Sequence, residues 1–161
     1  MNFTRKLFVL LLFFAVSSFN AQSDLYNKLN SFVANQTKEV LENRLIAVNV
    51  WSVNDKESRD LNKEFEEAYK TFEYAKLKGG HKGIVVLNVN LDSDHVNADI
   101  TLQKDGITKL IKVSATNTEI INAMKGKNAG YNIVFDNKGN LVYENLQQGT
   151  VFTNIQKLIT R

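Results

Sequence analysis

The stretch NVWSVNDKESRDLNKEF, residues 49–65, sets a carboxylate and a hydroxyl three positions apart, Asp55 and Ser58, at the head of a helix-patterned segment. A group in that position lies in the field of the helix dipole and of the first turn's free N–H groups. A thiol placed there would become a reactive thiolate. The chain has no cysteine at all, which excludes thiol redox catalysis, a thiolate nucleophile and a thiolate metal site. Ser58 has no histidine close by in the sequence to activate it as a nucleophile. Asn54 and Glu57 have N-cap and N3 spacing, so the stretch also reads as a stabilised helix start, with Asn54 as the cap and Asp55 complementing the dipole. Asp92, Asp94 and His95 could offer oxygen and nitrogen ligands to a divalent cation. With no further histidine cluster, a capped helix start is the stronger reading there. No catalytic residue, metal ligand or cofactor is assigned.

These residues need elements to position them. Leu25, Leu29, Phe32, Val33, Val40 and Leu41 follow a broken helical period, so residues 24–42 predict one or two helices. RLIAVNVW, residues 44–51, is a short continuous apolar run and predicts a buried strand. Residues 55–77 keep one apolar face at helical spacing. After Gly79-Gly80, residues 83–92 predict a second buried strand, followed by a short helix over 94–104 closed by Gly106. Residues 109–114 form a third extended segment. Thr116 stands three residues before Glu119, a capping-box spacing that opens another short helix. YNIVFDNKGNLVYEN predicts a hairpin turning at Asp136–Gly139. Val151, Ile155, Leu158 and Ile159 form the apolar stripe of a last helix. This order implies an α/β fold: a central mixed sheet with a C-terminal hairpin and helices on both faces.

In this setting NVWSVNDKESR resembles the thioredoxin-like superfamily, in particular its exported thiol–disulfide oxidoreductase and peroxidase-related branch. The family pattern is a buried strand ending in Asn-Phe-Trp-Ala, then x-Trp-Cys-x-x-Cys-Arg, then an amphipathic helix. Asn49, Val50 and Trp51 match the strand end, and Arg59 matches the basic residue after the second cysteine. The two cysteines fall on Asp55 and Ser58, and the second tryptophan on Asn54. GYNIVFDNKGNLV resembles the family's proline-led hairpin, with the cis-proline replaced by Gly130 and followed by Tyr131. The resemblance implies a degenerate member lacking both cysteines and the cis-proline. It implies a former active-site face made of Trp51, Asn54, Asp55, Ser58, Gly130 and Tyr131. Trp51 reads as core or half-buried beside that face, and Tyr131 as exposed.

The first 21 residues are set apart by composition. Basic Arg5 and Lys6, an apolar run from Leu7 to Val16 and a polar end at Ala21 have the layout of a secretory signal peptide. That run is shorter than the roughly 20 residues of a permanent span. The expected domains are a signal peptide at 1–21, an N-terminal helical extension at 22–43 and a thioredoxin-like domain at 44–161. Without Arg5 and Lys6 the basic residues fall from 20 to 18, against 17 acidic. With no basic stripe, nucleic acid is not an expected partner. The function implied is a redox-inactive protein of the bacterial cell envelope, periplasmic or extracellular, that binds a protein or peptide through the former active-site face. An envelope enzyme using non-thiol groups and a structural partner subunit without a site are the alternatives.

Overall fold

The computed structural model describes residues 23–36, 44–77, 81–114 and 116–159. Residues 1–22, on which the signal-peptide reading rests, lie outside them.

Helix α1 covers residues 23–36. It is followed by β1 (Leu45–Trp51), α2 (Lys56–Phe72), the short strands β2 (Lys76–Leu77) and β3 (His81–Lys82), and β4 (Ile84–Asn90). Then come α3 (His95–Lys104), β5 (Ile111–Val113), α4 (Thr118–Ala123), β6 (Asn132–Phe135), β7 (Leu141–Glu144) and α5 (Val151–Leu158). The main sheet has the order β5-β4-β1-β6-β7, and β2 and β3 pair separately. β1 runs parallel to β4 and antiparallel to β6, so the sheet is mixed and closes on the β6–β7 hairpin.

β1 and β4 are buried along all seven residues each because helices cover both faces of the sheet. On one face Leu45, Ala47, Trp51, Ile84 and Val86 pack against Leu61, Phe65, Ala68 and Phe72 of α2. Ala98 and Leu102 of α3 and Val151 and Ile155 of α5 complete that layer. On the other face Ile46, Val48, Val50, Val85, Leu87 and Val89 meet Leu29 and Val33 of α1, Ile120 of α4 and Met124 just after it. The period-2 alternation of strand side chains divides the same apolar run between two cores.

Three local expectations change. Helix α2 stops at Phe72 rather than running to 77, because Ala75 N–H turns back to the Phe72 carbonyl and Gly83 N–H then donates to the Ala75 carbonyl. That arrangement holds the small β2–β3 pair, which the helical pattern of the sequence concealed. Helix α4 begins after Asn117, not Thr116, and Asn117 Oδ1 accepts from Ser114 N–H instead of capping the helix. The third change, at the start of α2, belongs to the site.

Candidate functional site

β1 ends at Trp51, and the chain turns through Ser52–Asn54 into α2. The N-cap of α2 is Asp55, whose Oδ1 accepts from Ser58 N–H at 2.7 Å. Asn54 is exposed in the turn one residue earlier, which corrects the expectation that it is the cap. A cap needs extended backbone and a short acceptor aimed at the N2 or N3 amide, and Asp55 supplies both. Ser58 is buried: its hydroxyl donates to the Asp55 carbonyl at 3.0 Å and accepts from Ser52 N–H at 3.3 Å. The two positions that would carry thiols therefore bond to each other and to the turn. Arg59 faces away from them and forms a bidentate pair with Asp105, both bonds at 2.8 Å. That pairing holds the Asp105 carboxyl below its ordinary pKa.

The turn is clamped from the side by Asp92, just beyond β4. Its carboxylate accepts from Ser52 Oγ and Val53 N–H, both at 2.7 Å, and from Asn90 Nδ2 at 2.9 Å. Burial pushes the Asp92 carboxyl up, but these hydrogen bonds and nearby His95 outweigh it and hold the pKa below the ordinary value. Asp94 caps α3 through Asn97 N–H at 3.0 Å. Asp92 and Asp94 thus have separate structural tasks. Among the described residues no three acidic or histidine side chains gather as a metal site requires.

Behind the turn lies a buried layer of amides. The register sets Asn49 of β1 opposite Asn88 of β4 on one side and Asn132 of β6 on the other. Asn49 Nδ2 donates to the Ser58 carbonyl at 3.1 Å and to Asn62 Oδ1 at 2.7 Å, and Asn88 Nδ2 donates to the same Asn62 oxygen at 2.6 Å. Asn132 braces the other side. Its Nδ2 donates to the carbonyls of Gly130 and Leu146, each at 3.0 Å, and its Oδ1 accepts from Leu146 N–H at 2.8 Å.

Asn132 thereby holds two walls of a groove of about 400 Å³ that opens beside the start of α2. One wall is the loop Gly126–Tyr131, the second is Asn145–Gln147, and Glu57 and Leu61 of α2 form the third. Gly130 takes φ +89°, a value proline cannot adopt, and nothing lies within 4 Å of where its Cβ would be. Every main-chain group of Gly130 and Tyr131 is used internally. Gly130 N–H and Val50 N–H exchange bonds with the Val50 and Tyr131 carbonyls at 2.8 and 2.9 Å, and Tyr131 N–H donates to the Asn128 carbonyl at 3.1 Å. Tyr131 is half-buried rather than open. Its hydroxyl donates to Glu144 at 2.9 Å, and the Lys127 ammonium sits 4.0 Å from its ring centre. Burial, then Glu144, pushes the Tyr131 hydroxyl pKa up.

Of the six residues expected on the face, Gly130 and Tyr131 line the groove. Asn54 and Asp55 occupy the turn and cap, while Trp51 and Ser58 are fully buried beneath it and present no surface. The bracing amides Asn62, Asn88 and Asn132 escaped the sequence reading, as did the bracing role of Asn49 and the clamping role of Asp92. The available signal was an asparagine interrupting each apolar strand, in IAVNVW, VVLNVN and YNIVF.

No protein-family model and no curated protein sequence matches this chain. Solved structures do. The thioredoxin domain of a thiol-disulfide oxidoreductase from Bacteroides vulgatus superposes with a TM-score of 0.60 at 12% identity, covering 74% of this chain and 82% of that one. A thiol:disulfide interchange protein from Bacteroides sp. gives 0.59 at 13% identity, covering 74% and 75%. StoA from Bacillus subtilis gives 0.53 at 10% identity, covering 70% and 81%. Identities this low speak to the fold alone. The chain has the thioredoxin-like fold of bacterial thiol-disulfide oxidoreductases, and it carries that fold without a single cysteine.

Proposed function

We propose that this protein is an exported, redox-inactive member of the fold that binds a protein or peptide partner in the groove between the start of α2 and the Gly126–Tyr131 loop. The observation that carries the reading is the groove itself. Its walls are fastened by buried Asn132, although the residues that would do thiol chemistry beside it are absent. In the family that the sequence resembles, this loop holds extended substrate backbone. Here the main-chain groups of Gly130 and Tyr131 are already engaged, so recognition falls to side chains. Glu57, Asn128, Asn145 and Gln147 around the groove are exposed and polar, with Leu61 and Leu146 supplying apolar contact. Amide side chains above an apolar floor suit a peptide, whose backbone carries matching donors and acceptors.

A cysteine-free chain permits a clean test. Asn128→Cys in the groove and Lys104→Cys at the end of α3 each provide one thiol for a photocrosslinker. In an envelope extract from the native host, the label at 128 is expected to capture a discrete partner that the label at 104 does not. Equal capture at both positions, or none at 128, would count against the groove.

A further inference from the structure

A second cavity, of about 50 Å³, lies on the far side of the sheet order from the groove, between α3 and the β4–β5 edge. Trp51 and Asn88 line it, together with Ala98 and Leu102 of α3. Asn90, His95, Asp99, Lys112 and Ser114 also line it, with Lys112 and Asp99 in an ion pair at 2.7 Å.

Trp51 and Asn88 are both almost fully buried, and each holds a polar atom with no partner among the described residues: the indole Nε1–H of Trp51 and the Oδ1 of Asn88. One is a donor and the other an acceptor. The two side chains are diagonal neighbours on one sheet face, because Trp51 pairs with Asn90 and Asn49 with Asn88 in the β1–β4 register.

The Asn88 amide cannot simply turn over to remove the mismatch. The Ser58 carbonyl can only accept, so Asn49 must present Nδ2 to it. The same Nδ2 then requires Oδ1 of Asn62 to face it, and that oxygen requires Nδ2 of Asn88. A relay of three amides, starting at the first turn of α2, thus leaves Asn49 Oδ1, Asn62 Nδ2 and Asn88 Oδ1 without a partner among the described residues, and of these three residues Asn88 alone lines the cavity.

We propose that this cavity is a built hydration site, in which an internal water accepts from Trp51 Nε1–H and donates to Asn88 Oδ1. Its volume exceeds the ~10–15 Å³ that one water requires, and buried waters are retained where two or more polar groups converge. An apolar occupant would leave both orphaned atoms unsatisfied. The water completes the relay at its far end, linking the indole of Trp51 in β1 to the amide layer behind the capped start of α2. This site is independent of partner binding at the groove.

Trp51 is the only tryptophan of the chain, so its indole proton gives one unambiguous resonance. Water-selective cross-relaxation in the isotopically labelled full protein is expected to show a peak from water to Trp51 Hε1, with the sign of a water held longer than about a nanosecond. Absence of the peak, or the opposite sign of freely diffusing surface water, overturns the proposal. Two variants sharpen the result. Asn88→Leu removes the acceptor, and Ala98→Leu fills the cavity from α3 while keeping both polar atoms. Each folded variant is expected to lose the peak and shift tryptophan emission to the blue, whereas persistence of the peak in both contradicts the assignment. If neither variant folds, the wild-type spectrum alone decides it.

Discussion

At the first turn of α2, Asp55 combines two effects, since its Oδ1 closes on Ser58 N–H and its charge lies in the dipole's field. Asp55→Ala is therefore expected to lower stability by about 1 kcal/mol. Asn54→Ala, at an exposed position without such a bond, should stay within about 0.5 kcal/mol of wild type. Urea unfolding of both variants checks this, and equal losses would return the cap to Asn54. Asp92 carries a heavier burden, because Ser52, Val53 and Asn90 all donate to it. Its folded pKa lies below its unfolded one of about 3.9. The stability it contributes is therefore complete above roughly pH 4 and fades as the pH falls through the folded value. Asp92→Asn should lower stability at pH 7 by about 1–3 kcal/mol, since three partly buried donors lose their ionised acceptor. The variant should also lose less stability than wild type on acidification below about pH 4. Parallel acid-dependence curves for the two proteins would remove Asp92 from this role.

Between elements, two glycines form a matched pair. Gly83, ahead of β4, and Gly106, after α3, have nearly the same backbone conformation, φ +74° and +75°. A Cβ on Gly83 would stand 1.9 Å from the Glu73 carbonyl oxygen, whereas one on Gly106 would meet nothing within 4 Å. Gly106→Ala should cost only the left-handed conformation, about 1–2 kcal/mol. Gly83→Ala adds a backbone clash and should cost at least about 2 kcal/mol more, or prevent folding. Thermal melts of the two variants compare them directly, and similar losses would mean that the α2–β4 connection yields easily. The sequence signalled the succession of elements because long apolar periods survive in it, as in Leu61, Phe65, Ala68 and Phe72. The strand order was less visible. Placing β6 beside β1 requires knowing that Asn49 and Asn132 are opposite each other, which no local pattern encodes. For the same reason the groove was legible only as Gly130 and Tyr131, while the Asn132 brace, formed by contacts 14 residues apart in sequence, was not.

Across the whole molecule, β1 is the keel of the sheet, with β4 along one edge and β6 along the other. The two neighbours arrive at very different times. β4 follows after one helix and a small hairpin, whereas β6 begins at Asn132, more than 80 residues beyond the start of β1. A chain ended after Gly130 should lack a cooperative melt and expose apolar surface to a hydrophobic dye, because β1 would keep a bare edge and both cores would lose β6. A sharp melt from that fragment would contradict this. The late closing of β1 also bears on synthesis. While residues 132–135 are still inside a ribosome, the sheet cannot be completed, however far the N-terminal part has progressed. Non-local pairing of this kind delays folding, and chains that fold late expose apolar segments for longer. The emerging polypeptide is thereby left open to chaperones until its last strands are free.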